Sequence, residues 1–259
     1  SAVWMVAHYI DSGCSDYSTE AAITKVFASE AMQRTAYEAL QIAGGNGFMN
    51  EYPYGRALRD SRINMIFEGT NEINRMLVTG MLLKRAVKGT LPLFAQAESV
   101  ERALAETQLP VASGGDAVAG AARDAEALKM AALYATKVAA ERFGNEIEKH
   151  QEVMAAITDV VMAAYAVDSM VARTRQSASA SGLDPVMVAM TQAYAADAIA
   201  RSGERARRAL CASSEGSALD THLQRIAPLF AFRPFDPAAL RETVVRAAED
   251  AGGYPLAIG

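Results

Sequence analysis

The sequence predicts an all-α protein. Apolar residues recur at helical spacing over long stretches, and no run shows the strict alternation of a half-buried strand. Alanine, the strongest helix former, is abundant in those stretches. The prolines sit at the boundaries between them, where they do least harm to a helix.

In chain order, residues 1–7 enter at once on an apolar helical pattern, with no initiator methionine and no capping residue. The chain is therefore expected to start inside a helix and to be part of a longer protein. Ser18 is the expected N-cap of the next helix, in which Ala22, Val26, Ala31 and Ala36 repeat at helical spacing. That helix is expected to stop at Gly44-Gly45, with an irregular passage through Pro53. Another helix is expected over residues 71–88, stopped by Gly89 and Pro92. Pro110 and Gly114-Gly115 mark residues 106–116 as a linker. Helical pattern resumes near Val118 and runs to Phe143-Gly144, then over residues 146–176 and 185–210. Pro228, Pro234, Pro237 and Pro255 are expected to break the tail into short pieces.

Composition limits the function classes. The 259 residues carry 51% hydrophobic and 21% charged residues, an ordinary globular balance. Net charge is -5 and no basic stripe appears, which speaks against nucleic acid as a partner. Cys14 and Cys211 make neither a disulfide framework nor a metal pattern, and His8, His150 and His222 are scattered. No metal site is expected, no signal peptide is seen, and no apolar stretch is read as a membrane span. Trp4 and the methionines at helical spacing are expected in the core.

The chemistry gathers in two motifs. Gln41-Ile42-Ala43-Gly44-Gly45-Asn46-Gly47-Phe48 is a glycine cluster directly after a helix. It reads either as an ordinary helix stop or as backbone laid bare to an anion. About twenty residues on stands Phe67-Glu68-Gly69-Thr70-Asn71-Glu72-Ile73. Taken alone, Glu68 reads first as a solvent-exposed carboxylate at a helix start. Apolar Met65, Ile66 and Phe67 beside it also suit a base whose proton affinity is raised by desolvation. Gly69 leaves room for a substrate chain. Thr70 and Asn71 suit N-capping, contact with a phosphate, or both.

Together, with Glu51-Tyr52-Pro53 and Arg59-Asp60 between them, the two motifs resemble the C-terminal signature of the acyl-CoA dehydrogenases. The match is strong over residues 18–78 and weaker over 97–259. The long helical extension and the tail Gly252-Gly253-Tyr254-Pro255-Leu256 look like the very-long-chain subgroup. The resemblance implies a partial four-helix-bundle C-terminal domain over residues 1–96, lacking its first helix. A second helical domain over residues 97–259 is implied to follow. Lys25 to Ala31 line up with Gln192 to Ala198, and Met5-Val6-Ala7 with Met170-Val171-Ala172, so that second domain reads as a degenerate copy of the bundle.

The resemblance further implies FAD as cofactor and a fatty acyl-CoA of long chain as substrate. Glu68 is implied as the α-proton-abstracting base, with its backbone N–H and Gly69 beside the substrate. Gln41, Ile42, Ala43, Gly44, Gly45, Thr70, Asn71 and Glu72 are implied at the cofactor, the first five usually across a subunit boundary in a homodimer. Arg59, Asp60, Arg62 and Arg75 match family positions and read mainly as ion pairs. An electron-transfer flavoprotein is the implied electron acceptor. The implied site of action is the bacterial cytoplasm or the mitochondrion, not the exterior. Phe230, Phe232 and Phe235 read first as core and second as contacts to a membrane. The competing readings are an acyl-CoA oxidase, in which Cys and His more often stand where this chain has Ala43 and Asn46, and a non-catalytic helical assembly protein.

Overall fold

A computed structural model describes residues 1–112, 114–178, 182–231 and 233–256. Among them the elements are all helical. They are α1 (Ala2–Asp11), α2 (Ser18–Ile42), α3 (Gly45–Phe48), α4 (Tyr54–Ile63), α5 (Asn71–Val87), α6 (Leu93–Ala105), α7 (Ala119–Phe143), α8 (Gln151–Gln176), α9 (Pro185–Ser213), α10 (Gly216–Ile226) and α11 (Pro237–Ala251). Short 3-10 turns cover Gly144–Lys149 and Ala227–Phe230.

The long helices α7, α8 and α9 pack on one another, with α6 and α10 closing one side and α11 lying against α9. Their core is rich in alanine: Ala121, Ala125, Ala131, Ala195 and Ala206 are buried around Leu128, Val160, Val167 and Leu210. Small side chains let the helix axes approach, and larger ones fill the spaces between. Helix α8 faces both ways. Its Met162 joins Ala22, Ile23 and Val26 of α2 and Val78 of α5 in a second apolar cluster. Helices α2 and α5 therefore rest on α8, and α4 packs on α2.

Several boundaries agree with the sequence reading and others correct it. Helix α7 ends where Gly144 takes φ 50, and α5 starts where the Thr70 side chain accepts from Ile73 N–H at 3.2 Å. Ser18 is not a cap. It is the first residue of α2, and its hydroxyl donates to Asp16 at 2.8 Å. Past Gly44, the chain folds into the single turn of α3 instead of remaining irregular. Residue 96 lies within α6, which runs unbroken from Leu93 to Ala105, and the break in structure comes at the loop that follows. The tail is more regular than its prolines suggest, since Pro237 opens the 15-residue α11 behind an Asp236 cap.

Trp4 is 49% exposed, not buried in a core. Helix α8 is long and apolar enough to cross a membrane by length and composition, contrary to the first reading, yet 61% of its most apolar window is buried inside the protein. That is the pattern of a core helix packed on several sides. Phe230 packs against the main core and closely over Gly203, and Phe235 is half-buried. Phe232 lies outside the described residues.

Candidate active site

Glu68 lies in the tight passage between α4 and α5. Its backbone takes φ 55, and Gly69 follows at φ 81. A left-handed conformation is uncommon for a residue with a Cβ and persists only where the surroundings enforce it. The surroundings here can be named. The Gly69 carbonyl accepts from Lys25 Nζ at 2.7 Å and from Asn74 Nδ2 at 2.8 Å. Asn74 also reaches the Thr70 carbonyl at 3.0 Å, and Asn71 N–H donates to the Met65 carbonyl at 3.0 Å. Gly69 is needed for its φ, and a Cβ there would also stand 3.1 Å from Asn74 Nδ2. The Glu68 side chain is exposed, as are Ile66 and Phe67. Desolvation of Glu68 by its own neighbours, expected from Met65 to Phe67, is therefore not supplied within this chain.

Asn71 is fully buried, and its side chain is bonded within the chain. Asn71 Nδ2 donates to Ser29 Oγ at 3.0 Å, and Asn71 Oδ1 accepts from Lys25 Nζ at 2.8 Å. Its work is to hold the loop to α2. Thr70 caps α5. Glu72 is exposed and held below the usual carboxylate range, first by its own backbone N–H and further by the Thr70 hydroxyl. Burial lowers the Lys25 ammonium from its ordinary value, while the Glu72 and Glu68 carboxylates oppose that shift.

The glycine octet forms the outer end of α2 and the turn of α3. Gln41, Ile42, Gly44 and Gly45 are exposed and Ala43 half-buried. Gly44 takes φ 56, and a Cβ on Gly44 or Gly45 would meet nothing within 4 Å. Gly47 differs: a Cβ there would lie 2.2 Å from the Leu40 carbonyl oxygen, so α3 can fold back on α2 only with glycine at this position. The fold-back leaves Ile42 at 85% and Phe48 at 89% exposure.

Of the four family-matched charges, Arg75 is the one set deep in an ion-pair network, between Glu30 and Asp159 at 2.7 Å each. Asp60 pairs with Arg56 at 3.5 Å on the surface. Among the described residues, Arg59 and Arg62 make no ion pair, and Arg62 Nη1 instead approaches the Met65 sulfur at 3.6 Å. Also among the described residues, no group of three metal-ligating side chains gathers. Lys25, Ser29, Glu30 and Asn74 were missed by the sequence reading. A signal existed: positions 25 and 29 place two polar groups one turn apart on α2, beside the buried Ala22 and Val26.

Comparison with known proteins places the chain in a family. Residues 1–83 match a family model described as "Acyl-CoA dehydrogenase, C-terminal domain", and residues 127–227 match a second model of the same description. The chain is 37% identical over 227 residues to a Bacillus subtilis protein named "Probable acyl-CoA dehydrogenase", covering 87% of this chain and 38% of that one. Over 78 residues it is 50% identical to the human "Very long-chain specific acyl-CoA dehydrogenase, mitochondrial", covering 30% of this chain and 12% of that protein. A crystal structure of acyl-CoA dehydrogenase complexed with FAD from Bacillus anthracis superposes with a TM-score of 0.86 at 32% identity, over 92% of this chain and 40% of that one. The chain thus spans about two fifths of the length of relatives that it matches almost throughout. It belongs to the acyl-CoA dehydrogenase family and is built of that family's C-terminal helical domains.

Proposed function

We propose that this chain is the part of an FAD-dependent acyl-CoA dehydrogenase that carries the proton acceptor and one side of the cofactor cradle. The observation that supports this most is the left-handed backbone of Glu68, followed by a Gly69 carbonyl that Lys25 and Asn74 both hold. Strain enforced at a carboxylate is the mark of a group placed for chemistry. Glu68 removes the proton from the carbon α to the thioester: the C–H bond breaks and the proton goes to a carboxylate oxygen. FAD, when bound, accepts the hydride from the β carbon. The Glu68 N–H is the donor assigned to the thioester oxygen, where charge builds during proton removal. Gly69 lets the acyl chain pass.

The open face of Gly44 and Gly45 fits a large anionic cofactor, because no side chain of this chain fills it. Gln41, Ile42 and Ala43 flank that face, and Thr70 and Glu72 border the base. The exposed Ile42 and Phe48 support a homodimer in which this turn reaches the FAD of the other subunit. Long-chain fatty acyl-CoA is the proposed substrate and an electron-transfer flavoprotein the proposed acceptor. The reaction would take place in the bacterial cytoplasm or the mitochondrion.

In the complete protein, Glu68→Gln should still bind acyl-CoA but reduce the flavin roughly 10²- to 10⁴-fold more slowly, since Gln keeps the shape and removes the proton acceptor. Stopped-flow absorbance of the flavin measures this. Bleaching at the unmodified rate would overturn the assignment.

A further inference from the structure

The Glu68 loop is tied to the second helical region by a continuous polar chain. It starts at the Gly69 carbonyl, which accepts from Lys25, whose ammonium also donates to Asn71. Asn71 and Ser29 bond to each other inside the fold, and Asn71 Nδ2 lies 3.5 Å from Glu30 Oε1. Arg75 then bridges Glu30, through Nη2 at 2.7 Å, and Asp159 of α8, through Nε at 2.7 Å. Beyond it, the other Asp159 oxygen meets Arg205 of α9 at 3.2 Å. Helix α5 is fixed against α8 at the same level. Thr158 Oγ1 donates to the Arg75 carbonyl at 2.5 Å, and the fully buried Thr79 and Thr158 hydroxyls lie 2.7 Å apart.

The links on either side of the 3.5 Å Asn71–Glu30 approach are short, and most of the linked groups are shielded from water. Asp159 and the Arg75 side chain are each 16% exposed. In such surroundings a guanidinium held between two carboxylates fixes direction as well as distance, because its donors are rigidly forked. Helix α5 begins one residue after Thr70, so its rotation or slide on α8 moves the Glu68 carboxylate directly. Among the described residues, Asp159 is the acid paired with Arg75 Nε.

We propose that Asp159, acting through Arg75, is a positioning residue for Glu68, so that the second helical region sets the aim of the base. This rests on the assignment of Glu68 above. The second region thereby contributes to turnover without touching substrate or cofactor.

The test compares Asp159→Asn and Asp159→Glu with the unmodified complete protein. Asp159→Asn keeps size and shape but removes the charge that orients Arg75. It should slow flavin reduction about tenfold to a hundredfold, the scale of an ångström misplacement of a reacting group. FAD content and the affinity for a non-reactive acyl-CoA thioether should stay as they were. Amide hydrogen exchange over residues 66–74 should quicken, with exchange over 119–143 unchanged. Asp159→Glu, which restores the charge with a longer reach, should recover most of the rate. A rate that falls only in step with lost FAD, or exchange at 66–74 that does not change, would overturn the proposal. Glu68→Gln measured alongside separates the two claims. If that variant reduces flavin normally, the base assignment fails, and the exchange data alone decide whether Asp159 orders the loop.

Discussion

The region before residue 95 and the region after residue 118 treat their apolar side chains in opposite ways. In the first, Ile42, Phe48, Met49, Ile66, Phe67, Ile73 and Leu77 stand exposed around the two motifs. In the second, α7, α8 and α9 bury their apolar residues so fully that, past Val111, only Val245 and Tyr254 remain as large exposed hydrophobics among the described residues. The second region completes its own core. The first leaves its apolar side chains open around Glu68 and the glycine octet. Surface of this kind belongs to something that will be covered, and the relatives are more than twice as long as this chain.

The difference can be broken most severely by removing the finished region. Without residues 97–259, the α8-facing sides of Val26, Val78 and Met76 would be bare, at roughly 25 cal/mol for each Å² of apolar surface. Deleting these residues from the complete protein should give aggregates or higher oligomers. Phe27 of α2 and Tyr194 of α9 meet edge to face with centroids 5.8 Å apart, a further contact between the two regions that the deletion removes. Size exclusion with light scattering, following flavin absorbance, measures the outcome. A clean soluble dimer after the deletion would show that the region is not a cover.

A smaller but sharper effect is expected at Gly47. Gly47→Ala places a methyl 2.2 Å from the Leu40 carbonyl, so α3 must move off α2. A loss of about 1–3 kcal/mol, typical of overpacking, should appear in thermal unfolding. FAD retention should fall with it, because the moved turn is the proposed cradle. Unchanged FAD content would separate the turn from the cofactor.

Much of this division was legible in the sequence. Helix α7 and the start of α5 were found nearly to the residue, because Gly144 and Thr70 are strong local signals. Helix α4 has no expectation behind it, since Tyr54–Ile63 is short and mostly polar, and its apolar face is only Tyr54, Ala57 and Leu58. Helix α6 was missed because Pro92 was taken only as the stop of α5, whereas it is also the N-cap of the next helix. At the site, Glu68 and the glycine octet were evident as motifs. Their supports were not: Lys25, Glu30 and Asp159 are distant in sequence, and only folding brings them to the loop. For Asn71, sequence gives the position at the start of α5 but not the bonds to Ser29 and Lys25 that its side chain makes.

The smallest effect concerns acid stability of the finished region. Glu101 accepts from Lys137 at 2.9 Å and Arg225 at 2.8 Å, and these partners, Lys137 first, hold its carboxyl below the ordinary range. A depressed folded-state pKa contributes stability above the unfolded value and loses it as pH falls through the folded one. Glu101→Gln should therefore cost about 1 kcal/mol at neutral pH, and the gap from the unmodified protein should close in acid. Urea unfolding at pH 7 and pH 3 measures it. A gap that persists at pH 3 would assign the loss to packing instead of charge.

We infer a self-sufficient helical scaffold that carries one incomplete half of a flavin site. The most direct measurement is FAD titration of the purified 259-residue chain, with circular dichroism on the same sample. The expected result is a strongly helical spectrum with FAD bound weakly or not at all. Purified chain that holds one equivalent of yellow flavin would contradict the claim.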